Sequence, residues 1–170
     1  MDRSAYDDIP FSKEIGLEAL LKKRKAYKTA GQKVVFTNGC FDLIHAGHVH
    51  YLYAAKQLGH ILVLGINSDR SVQENKGPTR PLMTQNNRIA VLSGLSMIDH
   101  VILFEDKTPV DLIEALKPDI HVKGGDYVKE TLPEYPIVKA YGGKVVILPF
   151  HPGCSTTSLV QKIRETQGML

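Results

Sequence analysis

The sequence lacks the features that mark several broad classes of protein. Only two cysteines, Cys40 and Cys154, occur among 170 residues. Two are too few for a disulfide framework or a structural zinc site, and both read as free thiols in a reducing cytoplasm. No apolar run approaches the roughly 18 residues of a membrane span. The opening residues, MDRSAYDDIPFSKE, are acidic and polar, unlike a signal peptide. Strong charge imbalance is missing as well. The 21 Lys and Arg residues exceed the 18 Asp and Glu by only three, giving +3, which is no basic field for nucleic acid. The local run Lys22-Lys23-Arg24-Lys25 reads as the solvated face of a helix. No repeat and no separating linker is visible. The chain is expected to form a single domain over 1–170, with an N-terminal arm and helix over 1–31 and a core over 32–170.

What is present is a recurring strand-then-helix pattern. Ser12 is placed to cap a first helix that Gly31 ends. Apolar strands are expected at 33–37, 60–66, 100–104, 119–123 and 144–148, and helices at 46–58, from Thr84, at 109–116, at 135–141 and from 155 to about Arg164. Residues 74–81, ENKGPTRP, read as a polar surface loop. The alternation predicts an α/β fold: a five-stranded parallel sheet covered by helices on both faces, plus the extra N-terminal helix. In such sheets ligands sit beyond the carboxyl ends of the strands. Four unusual segments fall there: 37–48, 67–80, 123–126 and 151–157.

The stretch VVFTNGCFDLIHAGHVHYL, residues 34–52, is the sharpest of these. A strand feeds a Gly turn and then a helix start, whose free N–H groups and dipole favour an anion. His45 and His48, spaced i, i+3, lie on one helix face and can meet one phosphate. Gly47 between them allows close backbone approach. His50 raises a metal reading, but residues 48 and 50 face different sides of a helix, and no protein metal ligand is assigned. Lys123-Gly124-Gly125-Asp126 suits one phosphate contact and one hydroxyl or ribose contact. Ser155-Thr156-Thr157 after Gly153 is a second helix-start anion site. These residues predict a nucleoside triphosphate site.

HAGH after NGCFDLI resembles the HxGH signature of the nucleotidyltransferase superfamily that includes cytidylyltransferases and is related to class I tRNA synthetases. FTNGCFDLIHAGHVHYL, GINSDRSV, KGPTRP, VKGGDY and PGCSTTSLV together resemble the stand-alone D-glycero-β-D-manno-heptose 1-phosphate adenylyltransferases, over about residues 15–165. Glycerol-3-phosphate cytidylyltransferases are similar but carry RTxGISTT where this chain has FHPGCSTT, so Phe150 stands in place of an arginine. That departure favours the heptose branch.

The resemblance implies a Rossmann-like, doubly wound fold. It also implies transfer of AMP from ATP to heptose 1-phosphate, yielding ADP-heptose for lipopolysaccharide assembly, in a cytoplasmic homo-oligomer. Mg²⁺ is expected as the triphosphate's companion, held mainly by phosphate oxygens. His45 and His48 would stabilise the transition state, and Lys76 would clamp phosphate from a closing loop. Arg88 would approach the triphosphate. Backbone groups of Thr37, Asn38, Gly39, Cys40 and Phe41 would line the nucleotide, and Asp42 would fix the turn or the substrate. Ser155, Thr156 and Thr157 would hold the β- or γ-phosphate. Two alternatives stay open: another sugar or polyol phosphate with CTP or GTP, and a non-enzymatic nucleotide sensor.

Overall fold

The computed structural model describes residues 12–149 and 156–167. Five strands run through it: β1 (Val34–Gly39), β2 (Ile61–Asn67), β3 (His100–Phe104), β4 (Ile120–Gly124) and β5 (Lys144–Leu148). Seven α-helices accompany them: α1 (Leu17–Thr29), α2 (Ala46–Lys56), α3 (Asp69–Lys76), α4 (Gln85–Ser93), α5 (Val110–Leu116), α6 (Tyr135–Ala140) and α7 (Thr156–Gln167). A 3₁₀ turn spans Lys129–Thr131. All strand pairings are parallel, in the order β3-β2-β1-β4-β5. No helix among the described residues is long and apolar enough to cross a membrane.

The central strands are nearly continuous apolar runs because helices cover both faces. On one face Leu52 and Ala55 of α2 and Ile89 and Leu92 of α4 pack against Val35, Leu62, Leu64 and Val122. On the other, Leu20 of α1, Ile113 and Leu116 of α5 and Val138 of α6 meet Val34, Phe36 and Val63. This is the parallel sheet covered on both faces that the alternation predicts, in the doubly wound, Rossmann-like form that the resemblance implies. The chain works outward from β1 to β3, then returns to add β4 and β5 on the other side. The strand order therefore reverses between β1 and β4, and sheets of this kind have their crevice there, at the carboxyl ends.

Three local expectations are corrected. Ser12 caps no helix: residues 13–15 are drawn out along β3, with the Ile15 amide donating to the Val101 carbonyl at 2.9 Å and the Val101 amide donating to that of Lys13 at 2.8 Å. This segment occupies the sheet edge, which outweighs any local helical preference. Arg24 does not join a solvated face. It donates to the Lys117 carbonyl at 2.9 Å and to Asp119 Oδ1 at 3.1 Å, reaching across to the loop after α5. Residues 69–76 form α3, whose last turn takes up the first residues of the polar loop expected over 74–81. Ser68 Oγ caps it by accepting from the Ser71 amide at 3.2 Å, and only Ser71 and Val72 are buried, too few for a visible apolar stripe.

One hydroxyl ties three elements beneath the crevice. Tyr51 Oη, on α2, lies 2.6 Å from Thr37 Oγ1 of β1 and donates to the Val122 carbonyl of β4 at 3.2 Å. A Cβ on Gly124 would stand 3.0 Å from the Tyr51 ring, so that glycine makes room for the tie. Tyr51→Phe leaves the fully buried Thr37 hydroxyl without its partner. It is expected to cost about 1–3 kcal/mol in urea unfolding; an unchanged midpoint would show that the tie contributes nothing.

Candidate active site

The turn after β1 is held by groups from elsewhere in the chain. Phe41 has φ 48, in the left-handed region that non-glycine residues rarely occupy. On one side of it, the Cys40 carbonyl accepts from Arg88 Nη1 at 2.7 Å. On the other, the Asp42 carboxylate accepts from the Leu82 amide at 2.8 Å, the Met83 amide at 3.0 Å and Arg80 Nη1 at 2.8 Å. Burial alone would raise the Asp42 carboxyl. The Met83 amide, Arg80 and the Leu82 amide outweigh that and hold it below its ordinary value. Asp42 thus fixes the turn, the first of the two roles considered for it.

The turn delivers His45 to the N-cap of α2, with extended backbone and its carbonyl accepting from the His48 amide at 2.9 Å. The two imidazoles stack, with centroids 3.9 Å apart and planes 25° from parallel. The Phe41 ring packs beside His48 at 5.2 Å. Burial lowers the pKa of both histidines. His48 falls to about 4, pushed further by the neighbouring His45 and Lys76 charges. Both rings are therefore neutral at pH 7. Each Nδ1 is buried without a partner. Gly47 lies in the first turn of the helix.

Lys76 stands in the last turn of α3, exposed, yet near enough for its charge to depress His48 and to oppose the burial that raises the Cys40 thiol. Arg88 is committed largely to the protein itself. Its side chain is completely enclosed. Nη1 donates to the Cys40 and Asn67 carbonyls at 2.7 and 2.8 Å, Nε to the Met83 carbonyl at 3.2 Å, and Nη2 to Asp69 Oδ1 at 2.7 Å. Four of its five N–H groups are spent on the protein, so Arg88 positions the loops.

On the far side of the crevice, Lys123 Nζ donates to Asn38 Oδ1 at 3.0 Å and pairs with Glu134 Oε1 at 3.2 Å. Gly124 follows it, and Asp126 is exposed beyond. Thr37 does not line the crevice: it is fully buried, in register with Leu64 and Val122, with its hydroxyl committed to Tyr51. Thr156 opens α7 and its Oγ1 donates to the Leu43 carbonyl at 3.4 Å. Thr157 follows in the first turn of α7, whereas Ser155, Cys154 and Phe150 lie outside the described residues.

Segment 37–48 is thus bonded to each of the other three: to 67–83 through Arg88 and Asp42, to β4 through Asn38, and to α7 through Leu43. Sequence reasoning missed Tyr51, Asn67 and Glu134. Tyr51 gave a weak signal, three residues beyond His48 on the same helix face. Glu134 gave none, since its pairing with Lys123 crosses an irregular segment.

A parallel strand feeding a loop and then a helix start is, in an α/β sheet, an arrangement suited to an anion. The chain belongs to the cytidylyltransferase-like family, whose model matches residues 36–162. It is 51% identical over 148 residues to the bifunctional protein HldE of Trichlorobacter lovleyi, covering 87% of this chain and 30% of that one. To the bifunctional protein HldE of Hahella chejuensis it is 57% identical over 137 residues, covering 81% and 29%. The chain therefore spans less than a third of these relatives. The crystal structure of a lipopolysaccharide core biosynthesis protein from Thermoplasma volcanium is similar, with TM-score 0.57 and 31% identity over 71% of this chain and 98% of that one. A pantoate-beta-alanine ligase from Francisella tularensis shares the fold at TM-score 0.57 and 14% identity, covering 80% of this chain and 66% of that one.

Two outcomes follow from the site's electrostatics. Arg88→Leu strands several buried acceptors and is expected to cost about 3–5 kcal/mol in denaturant unfolding; a loss under about 1 kcal/mol would contradict its role as the hub. His48 is held neutral in the fold but takes a proton more readily when unfolded. Its contribution to stability is complete above the ordinary histidine pKa of about 6.5 and declines as pH falls from there toward about 4. His48→Gln should flatten the pH dependence of unfolding in that window, and an unchanged slope would contradict the assignment.

Proposed function

We propose that this chain transfers AMP from ATP to D-glycero-β-D-manno-heptose 1-phosphate, releasing pyrophosphate and forming ADP-heptose. A phosphate oxygen of the sugar attacks the α-phosphorus, and the bond from that phosphorus to the β-phosphate bridging oxygen breaks. The acceptor brings its own anionic nucleophile, so no side-chain nucleophile is required. Catalysis reduces to alignment and charge stabilisation.

The observation that carries the reading is the stacked, neutral pair His45 and His48 at the start of α2. With each Nδ1 buried and unpartnered, the tautomer that protonates Nε2 directs a donor toward the triphosphate. Neutral donors can share one anionic group without repelling each other. Lys76 supplies positive charge from the β2 side and Lys123 from the β4 side. The backbone of Asn38, Gly39, Cys40 and Phe41 approaches the nucleotide, as does Gly47. Gly124 and Asp126 border the ribose, and the Ser155-Thr156-Thr157 helix start meets the β- or γ-phosphate. The motifs shared with heptose 1-phosphate adenylyltransferases and the relation to HldE proteins support heptose as the acceptor.

The described residues offer no group of three or more His, Cys, Asp or Glu side chains for a cation. Mg²⁺ would be held by the triphosphate oxygens. A cytoplasmic homo-oligomer that engages neither nucleic acid nor membrane completes the proposal.

Pyrophosphate release tests it. ATP with heptose 1-phosphate should support turnover well above CTP or GTP, and preference for either of those would overturn the donor assignment. His45→Ala and His48→Ala should each lower kcat by about 10²–10³-fold with the fold retained; full activity in both would overturn the role of the pair.

A further inference from the structure

Lys123 and Glu134 form an arrangement that the site as described leaves unexplained. Glu134 sits immediately before α6 with its carbonyl accepting from the Val138 amide at 3.0 Å. Its side chain is 3% exposed, and Oε2 is buried with no partner. An enclosed carboxylate is costly to keep unless a positive group faces it. His121 lies nearby, fully buried and stacked on Phe36 with centroids 5.7 Å apart. Burial holds His121 well below its ordinary pKa, so it carries no charge at pH 7. The positive charge opposite Glu134 is that of Lys123.

The lysine is oriented by this pairing. An ammonium has three N–H donors. Two are directed at Asn38 Oδ1 and Glu134 Oε1. The side chain stays 18% exposed at the end of β4, beside the β1/β4 crevice, so the third donor remains for a ligand. A free lysine carries much rotamer entropy, which lowers the value of any single contact it makes. Here that freedom is already removed before a ligand arrives.

We propose that Glu134 is a positioning residue, which pins the Lys123 ammonium at the mouth of the crevice so that its third N–H meets a phosphate oxygen of the bound nucleoside triphosphate. This rests on the nucleotide reading of the site. It adds that an enclosed carboxylate sets nucleotide affinity through the lysine.

Equilibrium dialysis with ATP on the full chain tests it. Glu134→Gln should weaken ATP binding about tenfold, and Lys123→Met at least as much. The double variant should bind like Lys123→Met alone, because Glu134 acts only through the lysine. An affinity within about twofold of wild type in Glu134→Gln, or losses that add in the double variant, would overturn the proposal. The wild-type protein gives a check that needs no variant. The Lys123 ¹⁵Nζ resonance should shift when ATP is added, and an unmoved resonance would overturn it equally. If ATP binds and responds to Glu134 as stated but no AMP reaches heptose 1-phosphate, the acceptor assignment fails and the positioning role stands.

Discussion

The buried guanidinium of Arg88 is the interaction on which the rest of the site depends. It comes from α4, outside the sheet, and bonds the carbonyls that end β1 and β2, the loop before α4 and the start of α3. Planar, permanently charged and rich in donors, arginine can hold four acceptors in fixed directions where lysine cannot. Fixing the Cys40 carbonyl fixes the left-handed backbone at Phe41. That backbone directs the chain into His45 and places the Phe41 ring against His48. The histidine pair is therefore supported by a residue that reaches back 48 positions in sequence to the Cys40 carbonyl.

A second layer of support lies beneath the crevice. Tyr51 joins α2 to β1 and β4, so the helix that carries the histidines cannot rotate without breaking buried hydrogen bonds. Asp42 joins the same turn to the segment before α4. The site is rigid where the histidines stand and more open where Lys76 and Asp126 stand, since both of those are exposed. Fixed donors with exposed charges at the rim suit the proposed reaction, in which alignment is the main task.

Much of this was legible in the sequence, and what was not has a physical reason. Strands β3 and β5 lie where their apolar runs predict, because period and burial are local signals. Thr84 was readable as a cap, and it caps α4. α3 was not, because a helix that buries two residues leaves almost no pattern. Residues 13–15 became extended through a partner strand that no local pattern reveals. Arg24 read as a surface charge and Arg88 as a triphosphate contact because sequence carries charge but not depth. Their partners, Lys117 and Asp119 for one and Cys40, Asn67, Asp69 and Met83 for the other, are known only once the sheet is assembled. The motif His45-Ala46-Gly47-His48 was legible because its chemistry is carried by neighbours in one helical turn.

The central claim is that Arg88 holds the loops while the histidine pair meets the triphosphate. A crystal structure with a non-hydrolysable ATP analogue tests it most directly. The account predicts phosphate oxygens within hydrogen-bond reach of the His45 and His48 rings, with Arg88 still bonded to the Cys40 and Asn67 carbonyls. A triphosphate lying away from both rings, or an Arg88 drawn out of its enclosure to grip it, would contradict the account.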